Sequence, residues 1–255
     1  MGMEKIGVYN YVAEPFHCDF THRLFMSQLG NHLLNASDFH SAERGFGMPT
    51  IGPQGRTWVL SRLAVEMEEM PRQYSEFRVE TWLEGAMKYF TNRNYRITAG
   101  DGRVLGHGRS VWAMIDTADR QPQDVLSVAG GKIADWVVEG EECPIAKVSR
   151  VKMGAGAKLV RTIDTYYNDV DVNGHVNSVK YMEHVFDLFD LDWHASHRLE
   201  RFDIAYVAES HGGDKLLFYM EQTGGAEFCI RIAKRENGSE GEVEVCRSKV
   251  KFVNI

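Results

Sequence analysis

A membrane span, a secretory signal and an excess of basic residues are all missing from this sequence. No apolar run reaches the about 18 residues that a spanning helix needs. Residues 1–16 also lack the apolar centre of a signal peptide. The net charge is −7, whereas nucleic-acid-binding domains are normally basic. We therefore expect a cytoplasmic protein with no membrane span and no nucleic-acid partner.

Cysteine is sparse and scattered along the chain. There are four cysteines and no Cys-x-x-Cys pair, which argues against a disulfide framework, since such frameworks are dense in cysteine. The histidines between residues 175 and 197 match no usual zinc spacing. We therefore predict free thiols, no metal and no other cofactor. The cysteines are Cys18, Cys143, Cys229 and Cys246.

Antiparallel strands are predicted in both halves of the chain. Residues 76–83 alternate between an apolar face and a charged face, which is typical of a half-buried strand. A long hairpin follows, with Asp101-Gly102 at its turn. Downstream, residues 215–253 read as a three-stranded meander with turns at 223–225 and at Asn237-Gly238. The predicted inner face of the first strand consists of Phe77, Val79, Thr81 and Leu83.

Each half also contains one amphipathic helix, within residues 22–37 and 175–190. Each helix is followed by an arginine and an apolar strand, at Arg62 and at Arg201. The halves therefore read as diverged copies of one unit, a curved antiparallel sheet around one long helix. This predicts an α+β fold of the tandem hot-dog type. The apolar stripes are Phe25, Leu29, Leu33 and Ala36 in the first helix, and Val176, Val179, Met182, Val185, Phe186 and Phe189 in the second.

The boundary between the copies is predicted in a basic stretch. We place an N-terminal domain at 1–146, a basic linker at 147–158 and a C-terminal domain at 159–255. Residues 147–161 contain basic residues and no acid, although the protein as a whole is acidic. The stretch is either a solvated connection or a docking surface for an acidic partner. Its basic residues are Lys147, Arg150, Lys152, Lys158 and Arg161.

Residues 169–174, Asp-Val-Asp-Val-Asn-Gly, resemble the start of an EF-hand calcium loop. Such a loop needs a bidentate glutamate at its twelfth position. Counted from Asp169, that position holds Lys180, and the preceding residues 160–167 are strand-like where a helix should be. We therefore reject a calcium site.

Asp171, Asn173 and His175 stand at alternate positions just before the second helix. Asp171 or Asn173 could serve as the helix N-cap, but capping would need only one of them. An extended segment would point all three side chains to one face, beside the positive end of the helix. A carboxylate, an amide and an imidazole placed together can polarise a carbonyl and activate water. We therefore favour a catalytic site.

Residues 169–184, "DVDVNGHVNSVKYMEH", resemble the signature of the acyl-ACP thioesterases, which release fatty acids from acyl carrier protein. The family pattern is Asp-x-Asn-x-His followed by "VN" and "KY", here at Asp171, Asn173, His175, 176–177 and 180–181. The first-half segments "TWVLSRLAVEME", "VETWLEG" and "GRSVWAMID" are similar to family segments in the same order. The resemblance implies a tandem hot-dog fold. It also implies that the substrate is a fatty acyl chain linked through phosphopantetheine to acyl carrier protein.

The family also has a Glu-Cys pair in the second half, and this sequence departs from it. The matching stretch "AYVAESHGGD" contains Glu209 followed by Ser210. A cysteine nucleophile is therefore excluded at this position, and Ser210 lacks an assigned third residue to orient its base. We expect His175 and Glu209 to activate water, with Asn173 and the backbone N–H groups near Gly174 and Val176 stabilising the oxyanion. Asp171 would orient the group or attack the thioester itself, and the roles of Asp171 and Glu209 could be exchanged.

When the two halves are aligned on Arg62 and Arg201, the counterpart of Glu209 is Met70, so the N-terminal half lacks this residue set. The family resemblance implies that it shapes the acyl pocket. The candidates are Phe25, Met26 and Leu29, which could equally be ordinary core residues. Rival functions are an acyl-CoA thioesterase, a hot-dog dehydratase and a non-catalytic acyl-binding module. A homodimer is compatible with a tandem hot dog but not required.

Overall fold

A computed structural model describes residues 3–148, 151–236 and 238–255. The chain divides into two compact units, Met1–Lys147 and Val148–Ile255, called unit 1 and unit 2 below. Among the described residues, no helix is long and apolar enough to cross a membrane.

Unit 1 is a five-stranded antiparallel sheet with one long helix. Its strand order is β1-β3-β4-β5-β2, and α1 packs on β3. After the last strand, residues 125–136 form 3-10 turns on either side of a kink at 128–131. The elements are β1 (Gly7–Val12), α1 (Met26–Glu43), α2 (Met48–Ile51), β2 (Arg56–Met67), β3 (Glu76–Ala86), β4 (Phe90–Ala99) and β5 (Val104–Asp116).

Unit 2 repeats the plan with a shorter helix. Its strand order is β7-β10-β9-β8-β6, so the strands that follow the helix occupy the same relative places as in unit 1. This agreement confirms the predicted α+β class and the two-copy organisation. The elements are β6 (Lys158–Asp164), α3 (Ser178–Phe186), α4 (Leu191–Ser196), β7 (His197–Tyr206), β8 (Lys215–Gly224), β9 (Glu227–Arg235) and β10 (Val243–Asn254).

The strand predictions hold in detail where the pattern was strongest. The four predicted inner residues of β3 are at most 2% exposed, and β3 pairs antiparallel with β1 and β4. At the β4–β5 turn Gly102 has φ +88°, a conformation that glycine adopts at little cost. Of the downstream turns, the one at 223–225 joins β8 and β9 as predicted; the other contains Asn237, which lies outside the described residues.

The helix predictions need two corrections. Phe25 precedes α1 and is 45% exposed, so it does not belong to the buried stripe. The second helix, predicted within residues 175–190, ends at Phe186, and a separate helix, α4, begins at Leu191. The Asp190 side chain accepts a hydrogen bond from the Trp193 N–H. That cap explains why a short helix starts there.

All four cysteines are free thiols, as predicted. Three of them are buried, and burial raises the pKa of the Cys246 thiol well above its ordinary value. Since the thiolate is the reactive form, these cysteines are core residues rather than nucleophiles. The buried three are Cys143, Cys229 and Cys246.

Candidate active site

The segment from Asp171 to His175 is a tight turn and not the extended segment that we predicted. The Asp171 N–H donates to the His175 carbonyl at 2.8 Å, and the Gly174 N–H donates to the Asp171 carbonyl at 3.0 Å. Gly174 has φ +79°, which favours glycine at this position. The alternate-face argument therefore fails for this segment, because aspartate and asparagine hydrogen-bond their own backbone and favour turns.

The turn nevertheless brings His175 to a carboxylate. Val170 and Val176 form a bridge across the base of the turn, and His175 bridges antiparallel to His211. The Val176 N–H also donates to the Ser210 carbonyl at 2.8 Å. These backbone contacts place Nε2 of His175 3.4 Å from Oε2 of Glu209. Both side chains are partly exposed, so the pair is accessible to water and substrate.

Asp171 is the hydrogen-bond acceptor that holds the turn. Its Oδ1 accepts the N–H of Asn173 at 2.8 Å and the N–H of His175 at 3.4 Å. The carboxylate thereby fixes the backbone of the histidine that faces Glu209. Its contacts are those of a positioning residue.

In this structure the Gly174 N–H donates to the Asp171 carbonyl, and the Val176 N–H donates to the Ser210 carbonyl. An oxyanion hole needs donors that point at the developing charge. Both N–H groups are already used within the backbone, and we do not propose them as oxyanion donors.

Asn173 lies exposed at the tip of the turn, where its amide is open to solvent. Neither it nor Asp171 caps the following helix. That role belongs to Asn177, whose side chain accepts the Val179 N–H at 3.0 Å. The capping alternative is thus removed for Asp171 and Asn173.

Unit 1 contains the same turn without the same chemistry. The Asp19 N–H donates to the Arg23 carbonyl at 2.8 Å, and Asp19 Oδ1 accepts the N–H groups of Thr21 and Arg23. His22, at the position of Gly174, has φ +61°. Arg23 bridges to Arg72 as His175 bridges to His211. Arg23 therefore stands where unit 2 has His175.

The equivalence extends to the carboxylate partner. The Leu24 N–H donates to the Pro71 carbonyl at 2.9 Å, as Val176 does to Ser210. Met70 precedes Pro71 as Glu209 precedes Ser210, so Met70 occupies the place of Glu209. Aligning Arg62 with Arg201 in the sequence gives the same match. The aspartate turn is thus common to both units, whereas at these two positions unit 2 has an imidazole and a carboxylate and unit 1 has Arg23 and Met70.

Ser210 is fully buried and is engaged with Tyr181. The Tyr181 hydroxyl donates to Ser210 Oγ at 2.8 Å, and burial raises the pKa of Tyr181 above its ordinary value. A hydroxyl enclosed in this way is poorly placed to attack a substrate. The contact instead joins α3 to the segment that holds Glu209.

Two histidines next to the site were not singled out for it from the sequence. The His211 ring lies 5.0 Å from that of His175, edge to face. His184 on α3 has Nε2 3.6 Å from Oδ1 of Asp169 and lies beside Asp187, whose pKa is lowered mainly by hydrogen bonding to His184. In the sequence, only its position directly after Glu209 and Ser210, the pair that replaces the family's Glu-Cys, pointed to His211.

The remaining predicted residues are the acyl-pocket candidates and the basic stretch. In unit 1 Met26 and Leu29 are buried core residues and Phe25 is exposed, and their acyl-pocket role stays a prediction. Of the basic residues, Lys147, Lys152, Lys158 and Arg161 are exposed, and Arg161 donates to the Asp187 carbonyl at 2.7 Å. Arg150 lies outside the described residues.

Family models match both units of the chain. The acyl-ACP thioesterase N-terminal domain matches residues 8–128, and the acyl-ACP thioesterase C-terminal domain matches residues 155–252. The chain belongs to the acyl-ACP thioesterase family. The catalytic candidates of unit 2 all fall inside the second match.

A solved relative matches the whole chain. The structure of an acyl-ACP thioesterase from Bacteroides thetaiotaomicron is 48% identical, covers 98% of each chain and superposes with a TM-score of 0.90. The 12:0-ACP thioesterase from Umbellularia californica is 20% identical, covers 100% of each chain and has a TM-score of 0.83, which shows the shared fold. The predicted hot-dog fold is confirmed by these likenesses.

Curated plant relatives are more distant and longer. The palmitoyl-acyl carrier protein thioesterase of Gossypium hirsutum is 24% identical over 74% of this chain and 48% of its own length. The dodecanoyl-[acyl-carrier-protein] hydrolase of Cinnamomum camphora is 24% identical over 87% of this chain and 61% of its own length. The chain thus spans about half to three fifths of these relatives.

Proposed function

We propose that this protein hydrolyses the thioester of fatty acyl-ACP to a free fatty acid and holo-ACP. The observation that carries the proposal is the imidazole of His175 facing the carboxylate of Glu209 at 3.4 Å, in a chain of the acyl-ACP thioesterase family. An imidazole paired with a carboxylate is suited to take a proton from water and later return it to a leaving group. The thiolate of phosphopantetheine would be that leaving group.

His175 acts as the general base and Glu209 as its partner. Glu209 orients the imidazole and stabilises its positive charge once it has taken the proton from water. The hydroxide attacks the thioester carbonyl carbon, and the C–S bond breaks as the proton passes to sulfur. Asn173, with its amide exposed at the turn tip, is proposed as the donor to the carbonyl oxygen.

Asp171 is proposed as a positioning residue rather than the nucleophile. Its Oδ1 is occupied by the N–H groups of the turn, and Asp19 does the same work in a unit without the histidine and glutamate. If the aspartate served only in catalysis, the turn of unit 1 would not need Asp19. We therefore propose that Glu209, and not Asp171, is the carboxylate that takes part in the reaction.

We assign catalysis to the C-terminal domain and shaping of the acyl pocket to the N-terminal domain. This keeps the predicted domain plan of 1–146, 147–158 and 159–255. The acidic acyl carrier protein is proposed to dock on the exposed basic residues, since both proteins would otherwise repel each other. No metal or other cofactor is invoked in the reaction.

The proposal is tested by measuring thiol release from a series of acyl-ACPs of increasing chain length. The wild type should release thiol, and His175→Ala and Glu209→Gln should each lose at least about a hundredfold in kcat/KM, the usual share of a general base. His22→Gly is the matched control, because it changes a histidine in the equivalent turn of unit 1 at a φ that glycine accepts.

The proposal would be contradicted if the wild-type protein released no thiol from any acyl-ACP. That result would favour an acyl-CoA thioesterase, a dehydratase or a non-catalytic acyl-binding module. Equal rates for wild type and His175→Ala would show that the turn has no part in the chemistry. Circular dichroism of each variant separates loss of chemistry from loss of fold.

A further inference from the structure

Behind the turn at 171–175, helix α3 presents a second histidine to a carboxylate that the proposed reaction does not use. Nε2 of His184 lies 3.6 Å from Oδ1 of Asp169, and both side chains are largely buried. Within the described part of the chain, this Nε2 is buried without a hydrogen-bond partner. A buried polar atom in that condition is costly, so its presence beside the site calls for an explanation.

Asp169 is tied to the backbone before and after the turn. Its Oδ2 accepts the Tyr166 N–H at 2.8 Å, and its carbonyl accepts the Asn177 N–H at 2.7 Å. Asn177 is also the residue that caps α3. Because Asp169 and Asn177 flank the turn, a shift of Asp169 would move the backbone that carries His175.

The His184 ring is held from its other side by the end of the helix and by the sheet. Its Nδ1 lies 3.9 Å from Oδ2 of Asp187, the residue that follows α3. Its ring packs edge to face against Phe218, with the ring centroids 6.2 Å apart. Two carboxylates therefore face the imidazole, Asp169 from the base of the turn and Asp187 from the end of the helix.

Unit 1 has two histidines at the corresponding places. In both units a 3-10 turn ends two residues before the aspartate that holds the turn, at His17 and at Asp169. His32 on α1 follows His17 at the interval at which His184 follows Asp169. Burial, together with the charge of His17, lowers the pKa of His32 to about 4. Among the described residues the His32 Nε2 also has no hydrogen-bond partner, so what distinguishes unit 2 is the carboxylate opposite the imidazole.

The carboxylate behind the turn occurs in the unit that also has a histidine facing a carboxylate in front of it. In unit 2, Asp169 and His184 lie behind the turn that brings His175 to Glu209. Unit 1 has neither pair at the corresponding positions. A hydrogen bond between an imidazole and a carboxylate is stronger than one between neutral groups, so this contact can restrain the base of the turn.

We propose that His184 is a positioning residue for the hydrolysis, acting through Asp169 to fix the backbone that presents His175 to Glu209. The separation of 3.6 Å is slightly longer than a hydrogen bond, and a small side-chain movement closes it. His184 does not touch the reacting atoms. The inference rests on the proposed function and adds to it a contact behind the turn.

Thiol release from acyl-ACP by His184→Phe and His184→Gln tests the proposal. Phenylalanine keeps a ring against Phe218 and removes both nitrogens, so kcat should fall by about tenfold, the effect of losing one charged hydrogen bond, with KM unchanged. Glutamine keeps an N–H donor near the place of Nε2 and should restore most of kcat. His32→Phe is the matched control, because it changes the corresponding residue of unit 1 and should leave kcat unchanged whatever it does to stability.

A double-mutant cycle shows whether His184 acts through Asp169. Asp169→Asn keeps an acceptor for the Tyr166 N–H and removes the charge, so kcat should fall by a similar factor. The double variant Asp169→Asn with His184→Phe should be no slower than His184→Phe alone, because the two residues share one contact. Losses that multiply in the double variant would overturn the proposal.

Amide hydrogen exchange of residues 169–177 measures the restraint on the turn directly. Exchange there should be at least about tenfold faster in His184→Phe than in the wild type and unchanged in His32→Phe, because a turn that has lost a strong contact opens more often.

The two measurements also separate this inference from the proposed function. If the wild type releases thiol and His184→Phe equals it in both kcat and exchange, only the role of His184 is wrong. If the wild type releases no thiol, the proposed function is wrong and the role of His184 in it falls as well. If His184→Phe fails to fold, Asp169→Asn decides by the same two measurements.

Discussion

Asp171 and Asp19 each use a single carboxylate oxygen, Oδ1, to hold a turn. Around Asp171 the turn presents a histidine to a glutamate, and around Asp19 it presents an arginine near a methionine. The comparison separates the residue that shapes the backbone from the residues proposed to move protons.

Replacing Asp171 with asparagine tests its role. Asparagine keeps an acceptor oxygen for the turn. If Asp171 is a positioning residue, kcat/KM of Asp171→Asn should therefore fall by no more than about tenfold, the effect of weakening one charged hydrogen bond. A nucleophile would instead bring Asp171→Asn down to the rate of His175→Ala. Thiol release under single-turnover conditions measures the difference.

The matched change is Asp171→Ala against Asp19→Ala. Each removes the acceptor of a turn and should lower the free energy of unfolding by about 1 kcal/mol. Only Asp171→Ala should also lower turnover. A comparable loss of activity in Asp19→Ala would mean that the two turns do not have separate roles.

At the scale of elements, α3 is short and depends on its cap and on its contact with the Glu209 segment. Asn177 caps the helix through its side chain, and its own N–H donates to the Asp169 carbonyl at 2.7 Å. Tyr181 on the same helix reaches Ser210 beside Glu209. The helix therefore connects the backbone before the turn with the loop after β7 that bears the carboxylate.

We expect Asn177→Ala to lower the free energy of unfolding by about 1 kcal/mol, because an N-cap acceptor is lost. It should also reduce kcat, since α3 begins directly behind the turn. Asp190→Ala removes the equivalent cap of α4 and should cost similar stability with unchanged kcat. Urea unfolding and thiol release on both variants give the comparison, and equal kcat losses would refute the link between α3 and the site.

The elements also show which parts of the structure the sequence could predict. The alternation in β3 and the repeat of helix and strands are local patterns, so they identified the fold class and the pairing of Met70 with Glu209. The geometry of 171–175 was missed because the same Asp-x-Asn pattern suits a strand face and an Asx turn, and only Gly174 distinguished them. The burial of Arg93, which is 3% exposed on β4, was not predicted because an arginine in an alternating strand is usually solvent-facing.

At the scale of the whole molecule, charge bears on the proposed docking of acyl carrier protein, and protonation bears on stability. The chain carries a net charge of −7, and the exposed basic residues at Lys152, Lys158 and Arg161 are a local exception. Unit 1 in turn contains His32 and His40, whose pKa values are lowered by burial in the folded protein. Both features lead to measurable consequences.

Reversing Lys152 and Lys158 to glutamate should raise KM for acyl-ACP by about tenfold, because two like-charge contacts would replace two attractive ones. Hydrolysis of a small thioester substrate should be nearly unchanged. The control is the pair Lys88→Glu and Lys132→Glu, two exposed lysines elsewhere that alter the net charge equally. If both double variants raise KM alike, total charge and not a docking surface is responsible.

Stability should fall below the ordinary histidine pKa of about 6.5. Burial lowers the pKa of His40 to about 2 and that of His32 to about 4 in the folded state. In this range the unfolded chain binds more protons than the folded one, so the stabilisation is present above about 6.5 and is lost as the pH falls toward the folded values. The slope is at most about 1.4 kcal/mol per pH unit for each histidine.

Urea midpoints measured at a series of pH values between about 8 and about 5 test this expectation. His40→Asn should flatten the slope by one histidine's share, whatever it does to stability at neutral pH. An unchanged slope would show that His40 titrates normally in the folded protein.

The aspartate turn that recurs at Asp19 and Asp171 has a consequence for how such a chain could arise. After duplication of an ancestral half, the backbone scaffold of both copies could be inherited intact while selection on the reactive side chains was relaxed in one of them. Thr21, Arg23 and Met70 now stand where unit 2 has Asn173, His175 and Glu209, while the aspartate turn is kept in both copies. The proposed specialisation of unit 2 thus rests on side chains and leaves the backbone of the turn unchanged.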